Sequence, residues 1–227
     1  METAAQVRDT APLSSEGLSS AKSSGVDWTG LRHLAANLGV AGLFFLALYA
    51  HVRSYGGPAD LIWIIGAGLM GALSLVRVAP KAAMINPSSV VATTFMMVTP
   101  LLMKAAPHLQ VSRLITGCGI TLEFIGMIIS EGSRIYLGRR FGLLPANRGI
   151  VSTGPFAVVR HPIYLGWFVL SLGFVMVYPT MLNVSLLAGT LPFLVWRIDL
   201  EEQLLRHDPE YAAYCDVTRH RILPLIY

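Results

Sequence analysis

The chain has 227 residues, of which 54% are hydrophobic and only 13% are charged. Soluble domains of this size carry about a quarter charged residues. The composition therefore excludes an ordinary soluble domain and, with apolar stretches of about 20 residues, indicates a multi-pass membrane protein. The formal net charge of +4 is modest and gives no reason to expect nucleic acid as a partner.

The first part of the chain predicts a polar tail followed by four membrane segments. Residues 1–27 are rich in Ser, Ala and Gly and lack hydrophobic periodicity, which predicts a disordered tail without the apolar core of a signal peptide. Apolar segments follow at about 32–52, 59–79, 88–106 and 111–133, and each is long enough for the roughly 30 Å hydrocarbon layer. Gly56-Gly57-Pro58, Asn86-Pro87 and Pro107 separate them, as turn chemistry predicts.

The next apolar run, from Pro162 to Trp196, contains no Lys, Arg, Asp or Glu. Tyr178-Pro179-Thr180 divides it near the middle, which predicts two helices of roughly 16 to 18 residues that form a hairpin and return to the side they started from. Pro192 predicts a kink, because it leaves one backbone carbonyl of the second helix without its usual partner. With the four earlier segments, the predicted fold is an all-α multi-pass membrane helix bundle of about six segments.

The basic residues predict how the chain is oriented. On the six-segment interpretation, all of them except Arg53, Lys104 and Arg113 fall on one side. The positive-inside rule makes that side cytoplasmic, so we expect both termini and the loop at 134–161 to face the cytoplasm. The chain is thus divided into a tail (1–27), N-terminal transmembrane helices (28–133) and a C-terminal region of loop, hairpin and polar segment (134–227).

Polar stretches flank the hairpin on both sides and lie at the same membrane face. In the second stretch, Asp208-Pro209-Glu210 has the residues of a helix start: a capping side chain, a proline in the first turn and an acid beside it. The short helix that follows should carry Tyr211 and Tyr214 on one face. Chemistry is therefore expected where the two polar stretches meet.

Arg160-His161-Pro162, with Tyr164 and Gly166, begins the hairpin. Taken singly, these residues could be a snorkelling arginine, interfacial anchors and a helix-starting proline. A glycine in the first turns of a membrane helix also leaves room for a ligand or for another helix. Both interpretations stay open on the residues alone.

Glu201 and Glu202 also allow two interpretations, one structural and one functional. They can form surface pairs at helical spacing, Glu201 with Arg197 and Glu202 with Arg206. Alternatively, one of them turns toward the hairpin and holds a cationic group of a ligand, since an acid at a membrane-side cavity is a functional candidate. Neighbouring helical residues point about 100° apart, so only one of the two can face the hairpin.

The stretch TGPFAVVRHPIYLGW, followed by EEQLL and YAAY, resembles the isoprenylcysteine carboxyl methyltransferase and phospholipid methyltransferase superfamily of integral membrane enzymes. The resemblance covers about residues 138–224. It implies that S-adenosylmethionine binds at the cytoplasmic end of the hairpin, that a hydrophobic or membrane-partitioned acceptor is methylated, and that S-adenosylhomocysteine is the product. The residues that it implies for cofactor binding are Pro155, His161, Tyr164, Gly166, Glu201 and Glu202, and for catalysis Arg160 and Glu202.

The chain departs from that family pattern at two places. Phe156 stands where a tyrosine is common, and the ending VTRHRILPLIY lacks the usual Val-Pro-Arg spacing, which leaves Arg219 and Arg221 without an implied role. The acceptor stays open among an isoprenylcysteine carboxylate, another lipid and a small thiol.

Other classes of protein remain as alternatives. One is an NADPH-dependent membrane reductase of the sterol-reductase type, and another is a small membrane transporter or binding protein, for which Glu123 and Glu131 in the fourth segment are a weak signal. Glu131 could equally contact the cofactor or pair with Arg134. The two cysteines show no metal-ligand spacing, and no GxGxxG loop follows a strand, which excludes a Rossmann-type methyltransferase.

Overall fold

The computed structural model describes residues 28–53, 58–84, 86–106, 108–109 and 111–223, so the predicted tail lies outside the described residues. Six apolar helices follow one another in the predicted order, and a short seventh comes after them. They are α1 (Trp28–Arg53), α2 (Pro58–Leu75), α3 (Pro87–Leu102), α4 (Arg113–Leu137), α5 (Pro162–Val177), α6 (Met181–Leu205) and α7 (Pro209–Val217). The chain is an all-α membrane bundle, as predicted.

Length and composition make the bundle an integral membrane protein. Three helical stretches, Arg32–Ala50, Arg113–Arg140 and Met181–Leu205, are long and apolar enough to cross a bilayer, and α2, α3 and α5 are apolar but shorter. Large apolar side chains such as Leu43, Ile128 and Val184 are exposed on these helices. In a membrane such side chains contact lipid.

Capping side chains explain where the helices begin. Asn86 accepts a hydrogen bond from the backbone N–H of Ser89 at 2.8 Å, and the Ser89 hydroxyl accepts one from the backbone N–H of Asn86 at 3.2 Å. This reciprocal capping box starts α3. Thr180 caps α6 in a similar way, with 3.1 Å from the Asn183 backbone N–H to its hydroxyl. The predicted breaks at Asn86-Pro87 and Tyr178-Pro179-Thr180 are thereby confirmed.

Glycines bring α4 and α5 into backbone contact. A Cβ on Gly126 would collide with the backbone of Leu170, and one on Gly166 would collide with the backbone of Ser130. Gly119 and Gly173 meet in the same way one heptad further along. Small residues allow this close approach in lipid, where no water-driven force holds helices together.

Hydrogen bonds of polar side chains tie α3 to α6. The hydroxyls of Thr99 and Thr190 lie 2.8 Å apart. The amide of Asn183 donates to the Lys104 carbonyl at 2.9 Å and accepts from the Lys104 backbone N–H at 3.1 Å. These contacts fix the end of α3 against the start of α6, opposite the end where the polar segments lie.

The second hairpin helix is longer than predicted. It runs to Leu205 and has 25 residues, whereas the sequence interpretation ended it at Trp196. That prediction was wrong because the charged residues after Trp196 do not end the helix: Arg197 and Glu202 are buried and paired within the protein. Pro192 lies inside this helix. Helix α4 likewise continues across residues 133 and 134, where the boundary between two regions was placed.

A short two-stranded ladder lies at the end of the bundle where α2, α4 and α6 finish and α3, α5 and α7 begin, which we call the polar end. Strand β1 (Ala82–Ala83) pairs antiparallel with β2 (Ala146–Asn147). Backbone hydrogen bonds from Lys81 to Asn147 at 2.7 Å and from Met84 to Pro145 at 2.9 Å extend the contact. The ladder fixes the loop after α4 against the segment between α2 and α3.

A Gly-x-Gly-x-x-Gly string does occur at 66–71, but it lies within α2. It is therefore part of an apolar helix and cannot act as a phosphate-binding loop after a strand.

Candidate functional site

A cavity opens at the polar end of the bundle. Its volume is about 1180 Å³ including the part open to solvent. Its walls come from α2 to α7 and from the loop between α4 and α5. Among the residues that line it are Met70, Thr93, Met96, Met97, Arg134, Arg140, Phe141, Arg148, Phe156, Arg160, His161, Tyr164, Trp167, Arg197, Glu201, Tyr211 and Tyr214.

Glu201 is the carboxylate that faces this cavity. Its side chain is 26% exposed. The Tyr164 hydroxyl donates a hydrogen bond to Oε2 of Glu201 at 2.7 Å, and Nη1 of Arg197 lies 3.9 Å from the same oxygen. The other carboxylate oxygen, Oε1, accepts no hydrogen bond from the described residues, while the tyrosine and the arginine hold the group in place.

Glu202 points away from the cavity and is only 1% exposed. Its Oε1 accepts from Nε of Arg160 at 2.9 Å and lies 3.2 Å from Nε2 of His161. Its Oε2 accepts from Arg221 at 3.0 Å and from Arg206 at 3.2 Å. The two glutamates therefore differ in direction, as the 100° spacing predicts, and both predicted i,i+4 ion pairs are confirmed.

Residues 218–222, which we call the C-terminal strap, hold the start of the hairpin. The backbone N–H groups of Arg160 and His161 donate to the carbonyls of His220 and Arg221 at 2.9 and 2.8 Å. Nη1 of Arg160 donates to the carbonyls of Thr218 and Arg219, each at 3.0 Å. The guanidinium of Arg160 is thus fixed by the strap on one side and by Glu202 on the other.

Helix α7 forms the cavity wall next to the loop. Asp208 caps it by accepting from the backbone N–H of Glu210 at 3.0 Å, and the Asn147 amide donates to the second carboxylate oxygen at 2.7 Å. The hydrogen bond from Asn147 and the capping bond hold the pKa of Asp208 below its usual value. Tyr211 and Tyr214 are both buried on one face, as predicted, and burial raises the pKa of each hydroxyl.

Positive charge dominates the cavity wall. Glu201 is the one carboxylate among its lining residues within the described chain, against five arginines: Arg134, Arg140, Arg148, Arg160 and Arg197. Burial, and then the neighbouring Arg77, lower the pKa of Arg148 to about 10. Arg148 is still protonated at neutral pH, so it is a partly desolvated cation that an anionic ligand group would stabilise.

Several buried polar atoms of the lining residues make no hydrogen bond to the described part of the chain. They are Oγ1 of Thr93, Nε of Arg134, Nη1 of Arg197 and the hydroxyl of Tyr211. Leaving a buried donor or acceptor unpaired costs about 1–3 kcal/mol. Their gathering around one cavity is what a site for a polar ligand requires.

The structure brings together four of the residues implied by the sequence resemblance. Arg160, His161, Tyr164 and Glu201 all line the cavity. Pro155, Gly166 and Glu202 are not among its lining residues. Pro155 lies in a 3₁₀ turn (Gly154–Ala157) before the hairpin, Gly166 packs against α4, and Glu202 lies behind Arg160.

The sequence analysis gave no site role to Arg134, Arg148 or Arg197. Arg197 was recognised only as an ion-pair partner of Glu201, although its Nη2 also donates to the Leu143 carbonyl and it lines the cavity. Arg148 donates to the Val78 carbonyl at 3.0 Å, across the ladder. The concentration of arginines in the loop after α4 was a signal for Arg148 alone, because Arg134 lies in α4 and Arg197 in α6.

A membrane helix bundle with a charged cavity at one end, next to an apolar interior, has the features of an integral membrane protein with a site for a polar ligand at the membrane face. Residues 133–207 match the isoprenylcysteine carboxyl methyltransferase (ICMT) family. The match supports membership of this family of membrane methyltransferases, and it includes Arg160, His161, Tyr164 and both glutamates. No curated protein matches the chain.

Proposed function

We propose that the protein transfers a methyl group from S-adenosylmethionine to a hydrophobic or membrane-partitioned acceptor. The observation that carries the proposal is a single cavity that combines guanidinium groups, one carboxylate and apolar aromatic side chains at the polar end. The match to a methyltransferase family covers the helices that bring most of these groups together. With the basic residues on the cytoplasmic side, the cavity opens to the compartment where the soluble cofactor is found.

The residues of the cavity fit the chemical groups of the cofactor. S-adenosylmethionine has a carboxylate, an ammonium group, a sulfonium and an adenine. Glu201 would hold the ammonium group, and Arg197 and Arg148 would hold the carboxylate, since charge-assisted hydrogen bonds are the stronger ones. Nη1 of Arg197 and the hydroxyl of Tyr211 make no hydrogen bond to the described residues, so each could bind a polar group of the cofactor.

The bound cofactor supplies an electrophilic methyl group on sulfur. A lone pair of the acceptor would form the new bond to that carbon, the S–C bonding pair would stay on sulfur, and any proton on the acceptor would leave to water at the cavity mouth. The protein's part is to align the two reactants and exclude water, which can supply several kcal/mol of the acceleration.

Arg160 and Glu202 then have different tasks in this reaction. Arg160 lines the cavity and is the catalytic residue that we propose. Glu202 acts through Arg160 and His161, which it fixes by 2.9 and 3.2 Å contacts, and is a positioning residue. His161, Tyr164 and Glu201 are the proposed cofactor contacts; Pro155 and Gly166 support them from the turn and from the helix interface.

Ligand competition tests the proposal against its alternatives. Purified protein in nanodiscs should bind radiolabelled S-adenosylmethionine, and S-adenosylhomocysteine should displace it while NADPH should not. Displacement by NADPH alone would favour the membrane reductase, and binding of neither S-adenosylmethionine nor NADPH would favour a transporter. Glu131 in α4 pairs with Arg134, so it offers no separate support for transport.

A further inference from the structure

The cavity has one wall on residues 141–151, which we call the mouth loop, and another on α7. These walls contribute Ala146, Arg148 and Gly149 from the mouth loop and Tyr211 and Tyr214 from α7. Asn147 lies between the lining residues of the mouth loop, and Asp208 caps α7. The contact between these two side chains therefore joins two walls of one cavity.

A single polar contact connects the two walls. The Asn147 amide donates to Oδ2 of Asp208 at 2.7 Å, and within the described residues no other hydrogen bond joins the mouth loop to α7 and its cap. Asn147 is buried, whereas Asp208 is partly exposed. A contact with one partner at the solvent boundary contributes little to stability, so it can break without unfolding the protein. We call this contact the latch.

The mouth loop is fixed to the bundle independently of the latch. The backbone N–H of Lys81 donates to the Asn147 carbonyl at 2.7 Å, within the two-stranded ladder. Nε of Arg148 donates to the Val78 carbonyl at 3.0 Å. Opening the latch leaves both contacts in place, so the mouth loop is the stationary wall.

Helix α7 is the wall that can move. Its C-terminal half is anchored by the Tyr214 hydroxyl, which donates to the Phe156 carbonyl at 2.6 Å. In its N-terminal half, the buried hydroxyl of Tyr211 makes no hydrogen bond to the described residues. Without the latch, only apolar contacts such as those of Ile150 and Val151 with the tyrosine cluster hold this half against the mouth loop. Apolar contacts are not directional, so the first turn of α7 can then swing away about its anchored end.

The latch also affects the position of Arg148. Oδ1 of Asn147 accepts from the backbone N–H of Gly149 at 2.9 Å. Gly149 has a φ of 100°, which glycine adopts without strain. Arg148 is the middle residue of this turn. The closure of α7 and the placement of a cationic group in the cavity therefore depend on the same asparagine side chain.

We infer that the latch is a gate, which opens to let a ligand of cofactor size enter the cavity from the polar end and closes over it. The inference rests on the proposed function for the identity of that ligand. A ligand of this size is largely buried in its pocket, so a wall must move before it can exchange with solvent. Uptake and release both pass through the open latch, and breaking the latch speeds both.

Substitutions that break and then rebuild the latch test the gate. Asn147→Asp keeps the acceptor for the Gly149 N–H and places two carboxylates against each other. It should raise the association and dissociation rates of tritiated S-adenosylhomocysteine about fivefold each and leave Kd within about twofold, because an open gate lowers the same barrier in both directions. Adding Asp208→Asn exchanges donor and acceptor, keeps a capping side chain on α7, and should return both rates to wild-type values. Glu210→Gln, in the first turn of α7 but outside the latch, is the matched control and should change neither rate.

A reversible cross-link tests the closed gate. In a background with Cys118→Ser and Cys215→Ser, a short bifunctional methanethiosulfonate should join the thiols introduced by Asn147→Cys and Asp208→Cys. Cross-linking before the ligand is added should slow its uptake at least about tenfold, and cross-linking afterwards should slow its release to the same extent. Dithiothreitol should reverse both effects. If Asn147→Asp does not fold, the cross-linked pair decides alone.

Hydrogen exchange measures the gate without any ligand. Amide exchange at residues 211–213 should rise in Asn147→Asp and return to the wild-type rate when Asp208→Asn is added. Exchange within α5 should stay constant in both variants. With this pattern in hand, failure of S-adenosylmethionine and S-adenosylhomocysteine to bind would contradict only the proposed function.

Three results would overturn the inference. The first is ligand uptake and release at the same rates before and after cross-linking. The second is unchanged amide exchange at residues 211–213 in Asn147→Asp. The third is faster release with an unchanged association rate in that variant, which would make the contact part of ligand binding and not a gate.

Discussion

At the scale of single residues, Glu201 and Glu202 show how neighbours in sequence can have different tasks. Glu201 is partly exposed and faces the cavity, with Tyr164 and Arg197 on one carboxylate oxygen. Glu202 is buried and contacts four basic side chains. Removing a partner from a buried ion pair leaves an uncompensated charge and is strongly destabilising, whereas a partly exposed pair contributes little to stability.

The first prediction follows from this difference. Glu201→Gln should weaken S-adenosylmethionine binding about tenfold and leave thermal stability near normal, because it removes one charge-assisted contact. Glu202→Gln should lower the unfolding temperature clearly, because Arg160 and Arg221 lose the charge that both share. Isothermal calorimetry and thermal unfolding in the same detergent measure both effects. A Glu202→Gln variant of normal stability with tenfold weaker binding would reverse the assignment of the two residues.

At the scale of elements, the C-terminal strap completes the site from outside the hairpin. Arg221 donates to Oδ1 of Asp199 and to Oε2 of Glu202, at 2.9 and 3.0 Å. Its side chain is 22% exposed, whereas that of Arg206, which contacts the same Glu202 oxygen, is 60% exposed. The strap and the start of α5 are therefore held together through one buried carboxylate.

The second prediction compares these two arginines. Arg221→Gln should lower kcat several-fold and increase hydrogen exchange in residues 218–222, because Arg160 loses its fixed position. Arg206→Gln should change neither, since an ion pair at an exposed arginine contributes at most about 1 kcal/mol. Arg221→Lys should restore part of the activity. Equal effects of the two Gln variants would mean that the strap is not held through Arg221.

The elements that could be predicted from the sequence are those set by local patterns. Apolar runs bounded by proline and capping residues fix α1 to α6, and Asp208-Pro209-Glu210 fixes α7. Arg160, His161, Tyr164 and Glu201 could be placed in the site because the resemblance covers them. The end of α6 was missed, because whether a charged residue ends a membrane helix depends on partners elsewhere in the chain.

Other features required contacts between distant segments. The contact of Arg221 with Glu202 joins residues 19 positions apart, and the ladder at Ala82–Ala83 joins segments more than 60 positions apart. A sequence pattern does not record such pairings. The resemblance implied a cofactor role for Gly166, and only the position of α4 shows that this glycine also packs against the backbone of Ser130. Thr93 carries no motif at all, and only the structure shows that its hydroxyl has no hydrogen-bond partner among the described residues.

At the scale of the whole molecule, the concentration of arginines at the polar end gives the orientation that we propose. Both termini and the cavity would face the cytoplasm. If each of the six helices α1 to α6 crosses the membrane once, the chain returns to the side on which it started.

Cysteine labelling checks this topology. In a background with Cys118 and Cys215 replaced by serine, single cysteines at positions 140–160 and 205–220 should react with a membrane-impermeant reagent from the cytoplasmic side. Cysteines at 55–58 and 105–110 should react only from the other side. Labelling of both sets from one side would contradict the six-crossing topology.

The short helices of the bundle affect the surrounding lipid. Helices α3 and α5 have 16 residues each, or about 24 Å at about 1.5 Å per residue, which is less than the roughly 30 Å thickness of the hydrocarbon layer. Such hydrophobic mismatch is relieved by local thinning of the bilayer or by snorkelling of flanking side chains. A thinned bilayer brings the head-group region of that leaflet closer to the level of Thr93. On the proposed function, a lipid-dissolved acceptor would then need to sink less deeply from the interface to enter the protein, so membrane thickness would be part of the barrier to its entry.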